Sequence, residues 1–168
     1  MGKPGGDPYE FLAAKEYGDF LIRLHDMWRR DLESGRYVYI RLFENLMMLM
    51  SGLMPEECGA CGVCSEQYLI EADGSVYPCD FYVEERFLLG NILSDPIEKL
   101  KEAQIKTAFT ASSWQLPEQC GSCRFIDLCR GGCKRYRDCK GLFLYCSSYR
   151  NFLEHSVKGF NELLEKYR

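Results

Sequence analysis

The sequence has no apolar run long enough to cross a membrane. Its most apolar stretch, from Leu42 to Met54, is too short for that and is interrupted by Glu44, Asn45 and Gly52. The first residues also lack the apolar segment of a secretory signal peptide, so we expect residues 1–14 to form a flexible leader. From these absences we expect no membrane partner, and we expect a reducing cytoplasm as the compartment.

An excess of positive charge is also missing. The chain has 21 basic and 25 acidic side chains, a net charge of −4, which disfavours a general nucleic-acid-binding protein. Between Cys120 and Lys140, however, basic residues outnumber acidic ones; the basic residues are Arg124, Arg130, Lys134, Arg135, Arg137 and Lys140. They indicate either a zinc-knuckle-like nucleic-acid patch or local compensation of an anionic metal cluster. Because aromatic residues are sparse in this segment, we favour compensation and expect no nucleic-acid partner.

Histidine is scarce, whereas cysteine is abundant. His25 and His155 are the only two histidines, and both fall in predicted helices, so we interpret them as structural residues. Of the ten cysteines, four lie close together with two, five and three residues between them: Cys120, Cys123, Cys129 and Cys133. Glycines at positions 121, 131 and 132 allow sharp turns there, so the pattern is typical of a ligand loop.

Three kinds of site use cysteines in this way. Disulfides are disfavoured, because 46% of the residues are hydrophobic and can fill a core without covalent links, and no secretory signal is seen. Structural zinc usually takes two separate C-x2-C pairs. One C-x2-C pair that continues into x5-C-x3-C is more typical of an iron–sulfur loop, which we favour, with zinc as the alternative.

A second cysteine group precedes a predicted hairpin. It contains Cys58, Cys61 and Cys64, and the Asp73-Gly74 pair that follows lies between two β-prone runs, a strong signal for a tight turn. Cys64 lies near the entry of this hairpin and Cys79 at its exit. We therefore expect the two ends of the hairpin to bring these two sulfurs together.

Helical periodicity predicts the rest of the fold. Apolar residues recur at helical spacing over 15–33, 41–54 and from Tyr149 onwards, and a short β-rich run covers Tyr37 to Ile40. A further helix is predicted to begin with Asp95 as N-cap and Pro96 as its first residue, and to reach about Ala108. The predicted fold class is α+β, a small cysteine-rich domain with a β-hairpin and flanking helices.

Two of these motifs together resemble a known family. The string Tyr77-Pro-Cys-Asp-Phe-Tyr-Val83, with the hairpin before it, and the loop from Cys120 to Cys133 are similar to the SPASM domain, the C-terminal auxiliary-cluster region of radical S-adenosylmethionine enzymes. Within that group the sequence is most similar to the anaerobic sulfatase-maturating enzymes, a name that also covers arylsulfatase regulators. The resemblance runs from about Tyr17 to Phe160. It implies that residues 15–55 are a helix–strand–helix remnant of a partial (β/α) barrel and that residues 56–168 form the cluster domain.

The resemblance also implies cofactors and their ligands. Carried over residue by residue, one [4Fe-4S] cluster is expected on Cys58, Cys64, Cys79 and Cys133. A second [4Fe-4S] cluster is expected on Cys120, Cys123, Cys129 and Cys146. Cys61 and Cys139 remain without an assigned role, and Cys139 lies close enough in sequence to compete with Cys146.

The family oxidises a cysteine or serine of a sulfatase precursor to formylglycine, so a sulfatase precursor is the expected partner. The radical is made at a C-x3-C-x2-C motif, which this sequence does not contain. S-adenosylmethionine and a third [4Fe-4S] cluster are therefore expected only in a radical core domain outside this sequence, and we expect the chain alone not to catalyse the reaction.

One residue is a candidate for catalysis. Asp80 matches the family residue proposed as general base, although a carboxylate at this position can also cap the turn after Cys79. Two other functions stay open at this point. They are a zinc-binding module that contacts protein or nucleic acid, and the SPASM domain of a peptide-modifying maturase.

Overall fold

The computed structural model describes residues 12–166, which fall into two compact units. We call residues 12–62 and 116–166 the helical unit, and Val63–Gln115 the sheet unit. A search of residues 12–166 finds no helix with the length and apolarity needed to cross a bilayer.

The regular elements of the described residues are short apart from the first and last helices. In chain order they are α1 (Ala14–Glu33), α2 (Arg41–Met50), α3 (Cys58–Cys61), β1 (Leu69–Ile70), β2 (Ser75–Tyr77), β3 (Gly90–Asn91), α4 (Ile97–Lys106), α5 (Glu118–Gly121), α6 (Ile126–Cys129) and α7 (Cys146–Lys166). Single 3-10 turns occur at Glu85–Phe87, Ala111–Ser113 and Lys134–Tyr136. Helices with a small open antiparallel sheet confirm the predicted α+β class.

The helical unit is built on α1 and α7, with α2 packed beside them. All three helices carry an apolar stripe at helical spacing, which is the face that must be buried. The buried apolar side chains of this core are Leu21, Trp28, Phe43, Leu46, Phe152, Leu153, Phe160 and Leu163. Polar contacts also join α1 to α7: Ser148 Oγ donates to the carbonyl oxygen of Ala14 at 2.5 Å, Arg29 contacts Glu162 at 2.5 Å, and His155 contacts Asp26 at 2.7 Å.

The sheet unit has a much smaller core. The strands lie in the order β1-β2-β3, with Leu69 opposite Tyr77 and Ser75 opposite Asn91. The predicted turn between β1 and β2 is confirmed, and the Asp73 carboxylate accepts the backbone N–H of Ser75 at 2.9 Å. The buried apolar residues of this sheet core are Val76, Leu89 and Leu100.

Two local predictions are wrong. The segment Tyr37 to Ile40 is not a strand, since among the described residues it has no ladder partner. It is held instead by Trp28, whose indole N–H donates to the carbonyl oxygen of Val38 at 2.8 Å. Asp95 is not the N-cap of α4, because Pro96 occupies that position.

Helix boundaries differ from the predicted ones by a few residues. α2 ends at Met50, four residues early, and α4 ends at Lys106. α7 begins at Cys146 rather than Tyr149, so a predicted cluster ligand is the first residue of the C-terminal helix. The prediction that His25 is structural and partly buried is consistent with an exposed fraction of 2%.

Candidate metal centre

The four ligands predicted for the second cluster all lie in the helical unit. Cys120 lies in α5, Cys129 is the last residue of α6, and Cys146 is the first residue of α7. Burial raises the pKa of the Cys120 thiol, and the charges of Cys146 and Cys123 raise it further. Charges act over several ångströms, so these effects place the four thiols in one region of the helical unit. That they hold one cluster stays a prediction.

Cys129 is the most deeply placed thiol of this set. Burial raises its pKa to about 11, with further contributions from Cys146, Cys120 and Cys123, while a hydrogen bond from the backbone of Gly131 opposes the shift. At neutral pH the metal-free thiol is protonated. Metal binding here must therefore release protons, because a thiolate is the ligand form of cysteine.

Arg137 links the two cysteine-bearing segments of the helical unit. Its Nη2 donates to the carbonyl oxygens of Gly62 at 2.8 Å and Gly132 at 2.9 Å, and its Nε donates to that of Gly131 at 2.9 Å. Gly62 follows α3, which carries Cys58, and Gly132 precedes Cys133. One guanidinium group thus fastens the loop after Cys58 to the loop before Cys133.

Two glycines permit this close approach. A side chain at Gly62, where φ is +73°, would lie 2.2 Å from the carbonyl oxygen of Arg130. At Gly132, with φ of +59°, it would lie 2.8 Å from the ring of Phe143. Any other residue at either position would push the loops apart.

Cys58 and Cys133, predicted for the first cluster, lie in neighbouring parts of the helical unit. A methyl group at Gly59, the residue after Cys58, would lie 3.5 Å from Cβ of Cys133. The N-terminus of α3 is therefore packed against Cys133. This proximity is the contact that the predicted ligand set requires of these two segments.

The other two predicted ligands of the first cluster, Cys64 and Cys79, lie in the sheet unit. The backbone N–H of Cys64 donates to Ser113 Oγ at 2.8 Å. Cys79 is buried and follows β2 after Pro78. That Cys58, Cys64, Cys79 and Cys133 together hold one cluster stays a prediction.

Asp80 is exposed and lies beside Cys79. Its Oδ1 accepts a hydrogen bond from the Cys79 thiol at 3.2 Å. The turn that follows is closed by the backbone, since Tyr82 N–H donates to the carbonyl oxygen of Cys79 at 3.0 Å. The turn therefore does not need the Asp80 side chain as a cap, and the carboxylate is open to solvent.

The two unassigned cysteines differ in their surroundings. Cys61 ends α3 and is half-buried, whereas Cys139 is exposed in the turn from Asp138 to Gly141. Cys146 acts electrostatically on both Cys120 and Cys129, and Cys139 does not appear among the charges that act on these two thiols. These electrostatic effects support Cys146 over Cys139 as the fourth member of that set, which stays a prediction.

Asn45 is a site residue that the sequence analysis missed. Its side chain is buried in α2, where Nδ2 donates to the carbonyl oxygen of Arg41 at 2.7 Å. Its Oδ1 accepts the backbone N–H of Glu56 at 2.6 Å and that of Glu57 at 3.4 Å, and these residues lead directly into α3. The sequence does offer a sign of this role, because Asn45 is a polar amide inside a largely apolar stretch.

The residues present fit an iron–sulfur group. The converging donors are sulfur atoms alone, and soft thiolates of this kind select zinc or iron–sulfur clusters. All ten cysteines lie in the described residues, and none of them is paired in a disulfide there. The positive charge of Arg137 lowers the pKa of Cys120 and so favours the thiolate. Burial has the larger effect and raises this pKa.

A cavity in the helical unit reaches two of these cysteines. It has a volume of about 440 Å³ and is lined mostly by aliphatic and aromatic side chains, among them Tyr17 and Tyr149, together with Cys129 and Cys133. Burial raises the pKa of Tyr149, so its hydroxyl group stays protonated. The cavity leaves room for a bound inorganic group next to thiols of both predicted ligand sets.

Comparisons with known proteins agree with this chemistry. Residues 58–124 match the SPASM family, described as an iron–sulfur cluster-binding domain. A cysteine-type anaerobic sulfatase-maturating enzyme of Clostridium perfringens (strain 13 / Type A) is 39% identical over 150 residues, which is 86% of this chain and 40% of that enzyme. A serine-type enzyme of Bacteroides thetaiotaomicron is 27% identical over 172 residues, covering 98% of this chain and 41% of that enzyme.

The fold is similar to a solved structure of the same kind. Native anSMEcpe with bound AdoMet and Cp18Cys peptide superimposes with a TM-score of 0.90 at 36% identity, covering all of this chain and 47% of that one. The chain therefore spans about two fifths of the length of the curated relatives it matches.

Proposed function

We propose that this chain is the auxiliary-cluster part of an anaerobic sulfatase-maturating enzyme. Residues 58–124 match the SPASM family, and the chain is similar to such an enzyme over 86% of its length in sequence and over all of its length in structure. It would act together with a radical S-adenosylmethionine core domain, which binds S-adenosylmethionine and a third [4Fe-4S] cluster. Its substrate would be a sulfatase precursor whose cysteine or serine is oxidised to formylglycine.

The ligand sets are part of the proposal. One [4Fe-4S] cluster would be held by Cys120, Cys123, Cys129 and Cys146, and the other by Cys58, Cys64, Cys79 and Cys133. The observation that carries the proposal concerns the set of Cys120, Cys123, Cys129 and Cys146. These thiols act on one another electrostatically within the helical unit. Sulfur-only donors, near a guanidinium group and with backbone N–H groups close by, suit an anionic cluster.

An iron count tests this assignment. Anaerobic reconstitution of the chain should yield about eight iron atoms and as many sulfides per molecule, since each cubane holds four of each. Cys123→Ala and Cys79→Ala should each lose about half of that iron, because they belong to different sets. Cys139→Ala, at an exposed cysteine outside both sets, is the matched control and should keep all of it.

Other outcomes of the same experiment would overturn the proposal. Tight zinc in place of iron, after anaerobic reconstitution with iron and sulfide, would identify a structural zinc module. Loss of iron in Cys139→Ala, with none in the Cys146→Ala variant, would show that the fourth ligand was assigned wrongly.

Asp80 would serve as the general base. Oxidation of a cysteine or serine side chain to the aldehyde level removes two electrons and two protons. Serine gives the aldehyde directly, whereas cysteine gives a thioaldehyde, which water hydrolyses to the aldehyde with release of hydrogen sulfide. One hydrogen atom leaves from Cβ to the radical, so one proton remains at the thiol or hydroxyl and one electron needs an acceptor. A bound iron–sulfur cluster can take that electron. Asp80 Oδ1 or Oδ2 would take the proton, and the exposure of this carboxylate leaves it open to a bound peptide.

The test of Asp80 uses the full enzyme with a sulfatase peptide. Asp80→Asn should abolish aldehyde formation while cleavage of S-adenosylmethionine continues, because the radical is made elsewhere. The iron content should stay at the wild-type value. Loss of both activities together with iron would show that Asp80 only supports the neighbouring Cys79.

A further inference from the structure

A second cluster of metal-ligating side chains lies in the helical unit, away from all cysteines. It contains His25 and Asp26 on α1 and His155 on α7, and the ligand atoms of the three lie within 4.8 Å of one another. His25 and His155 are the only histidines of the chain. Two histidines from helices far apart in sequence thus meet at one carboxylate.

We propose that His25, Asp26 and His155 form a binding site for a divalent transition-metal ion, with Zn²⁺ as the representative, which links α1 to α7. Imidazole nitrogen and carboxylate oxygen are both ordinary zinc ligands. Three protein ligands leave a position for water, and this site would therefore be open rather than closed.

The distances are near those that a bound ion requires. Asp26 Oδ1 lies 3.3 Å from His25 Nδ1 and 2.7 Å from His155 Nε2. Ligand atoms about 2.0–2.1 Å from a tetrahedral ion lie roughly 3.3 Å apart. The three ligand atoms all lie within 4.8 Å of one another, and rotation of the exposed His155 and Asp26 side chains would bring them to the spacing of a bound ion.

His25 supplies a rigid anchor for the site. It is 2% exposed, and its ring lies 4.8 Å from the ring of Phe160 and 5.9 Å from that of Phe43, measured between centroids. Asp26 and His155 are each nearly half exposed, which gives a metal ion a path from solvent. The site combines one ligand fixed by the core with two that can adjust.

The neighbouring charges do not oppose a cation strongly. Arg29 is the basic group near His25, and it is engaged by two carboxylates: its Nε contacts Glu33 at 3.0 Å and its Nη2 contacts Glu162 at 2.5 Å. Burial lowers the pKa of His25, which keeps its imidazole in the neutral form that binds metals.

One feature limits the affinity. His25 Nε2 is buried and has no hydrogen-bond partner among the described residues. When Nδ1 binds a metal, the ring proton lies on Nε2, where it is poorly solvated. We therefore expect an exchangeable ion rather than one that is permanently bound.

Histidine-selective NMR provides the experiment, because the chain has only two histidines and zinc held by cysteines does not perturb them directly. The cluster-loaded protein with ¹⁵N-labelled histidine is titrated with Zn²⁺ under anaerobic conditions. The NMR signals of the ring nitrogens of His25 and His155 should shift at the same Zn²⁺ concentration, so that both titrations have one midpoint. His155→Gln and Asp26→Asn should each raise the Zn²⁺ concentration at the midpoint of the His25 titration at least about tenfold. Even residues outside the ligand shell commonly change metal affinity by that factor.

The control is Asp19→Asn, which removes an exposed carboxylate of α1 that pairs with Lys15 at 2.7 Å and should leave the midpoint unchanged. A shift of His155 alone, with the same midpoint in Asp26→Asn, would overturn the proposal in favour of a lone surface histidine. If neither histidine signal shifts, the proposal is also overturned, and His25, Asp26 and His155 are joined by hydrogen bonds alone.

Discussion

The helical unit and the sheet unit differ in what can hold them together. The helical unit buries eight apolar side chains in one core around two long helices. The core cluster of the sheet unit has three, with Phe109 buried outside that cluster, and its strands are two or three residues long. Hydrophobic burial grows with the area removed from water, so the first core can support its unit while the second supplies far less stabilisation.

A similar contrast exists inside the helical unit. α1 has 20 residues and α7, which begins with Cys146, has 21, whereas the other cysteine-bearing helices, α3, α5 and α6, have four each. Helices of four residues are not stable by themselves. The segments that carry the cysteines therefore depend on cross-links from side chains and, under the proposed function, from metal.

Removal of the metal should give the largest effect. In the chain without clusters, hydrogen exchange over residues 69–137 should become faster, while α1 keeps its protection because its own core holds it. A group that binds only the folded state at 1,000 times its dissociation constant contributes about 4 kcal/mol, so loss of both proposed clusters should cost about 8 kcal/mol. Equal protection of residues 69–137 in the apo and reconstituted proteins would show that these residues do not depend on metal.

Truncation of core residues should distinguish the two units next. Phe160→Ala removes a fully buried ring that contacts Trp28, Phe43 and Phe152, and should cost about 3–5 kcal/mol of unfolding free energy. Val76→Ala in the sheet unit should cost about 2 kcal/mol, because fewer buried atoms are lost. Denaturant unfolding of the reconstituted protein measures both. A larger loss for Val76→Ala would reverse the proposed difference between the cores.

The parts of the fold that could be predicted from sequence are those fixed by local rules. The period of the apolar residues predicts α1 and α7, and Asp73-Gly74 predicts the turn between β1 and β2. Tyr37 to Ile40 failed because β-prone residues form a strand only beside a partner, and here the contact of Trp28 with Val38 holds the segment instead. Asp95 failed as an N-cap because its carboxylate is used by Lys99 and by the backbone of Asn91.

The candidate site shows the same limit. The family resemblance implied the set of Cys120, Cys123, Cys129 and Cys146, whose thiols influence one another electrostatically, and their joint ligation stays a prediction. The roles of Arg137 and Asn45 could not be predicted, because each depends on backbone groups that are distant in sequence and meet only in the folded chain. Charge counting placed Arg137 among the cations near the cysteines but gave no reason to single it out.

Arg137→Lys should therefore have a moderate and local effect. A lysine keeps the charge but cannot reach the carbonyl oxygens of Gly62, Gly131 and Gly132 together, and hydrogen bonds from charged donors contribute about 1.5–3 kcal/mol each. We expect a loss of about 2 kcal/mol and faster release of iron to a chelator.

The matched control is Arg124→Lys, at an exposed guanidinium group that pairs with Glu154 at 2.6 Å. Exposed ion pairs contribute about 0–1 kcal/mol, so stability and iron release should hardly change in this variant. Equal behaviour of the two lysine variants would mean that Arg137 acts by charge alone, without fastening the loops.

The smallest expected effect is the acid sensitivity of Asp95 in the sheet unit. The ion pair with Lys99 and the backbone N–H of Asn91 hold the pKa of Asp95 below its ordinary value of 3.8. Since the folded state prefers the ionised carboxylate, its contribution is present above about pH 3.8 and is lost as the pH falls through the lower, folded-state pKa. Asp95→Asn should lower the unfolding free energy slightly at neutral pH and make its decrease below about pH 4 less steep, as measured by denaturant unfolding at several pH values.

Glu98→Gln, on the exposed first turn of α4, serves as the control. If both variants keep the wild-type acid profile, β3 and α4 are joined by apolar contacts, such as those of Leu100, without help from this carboxylate.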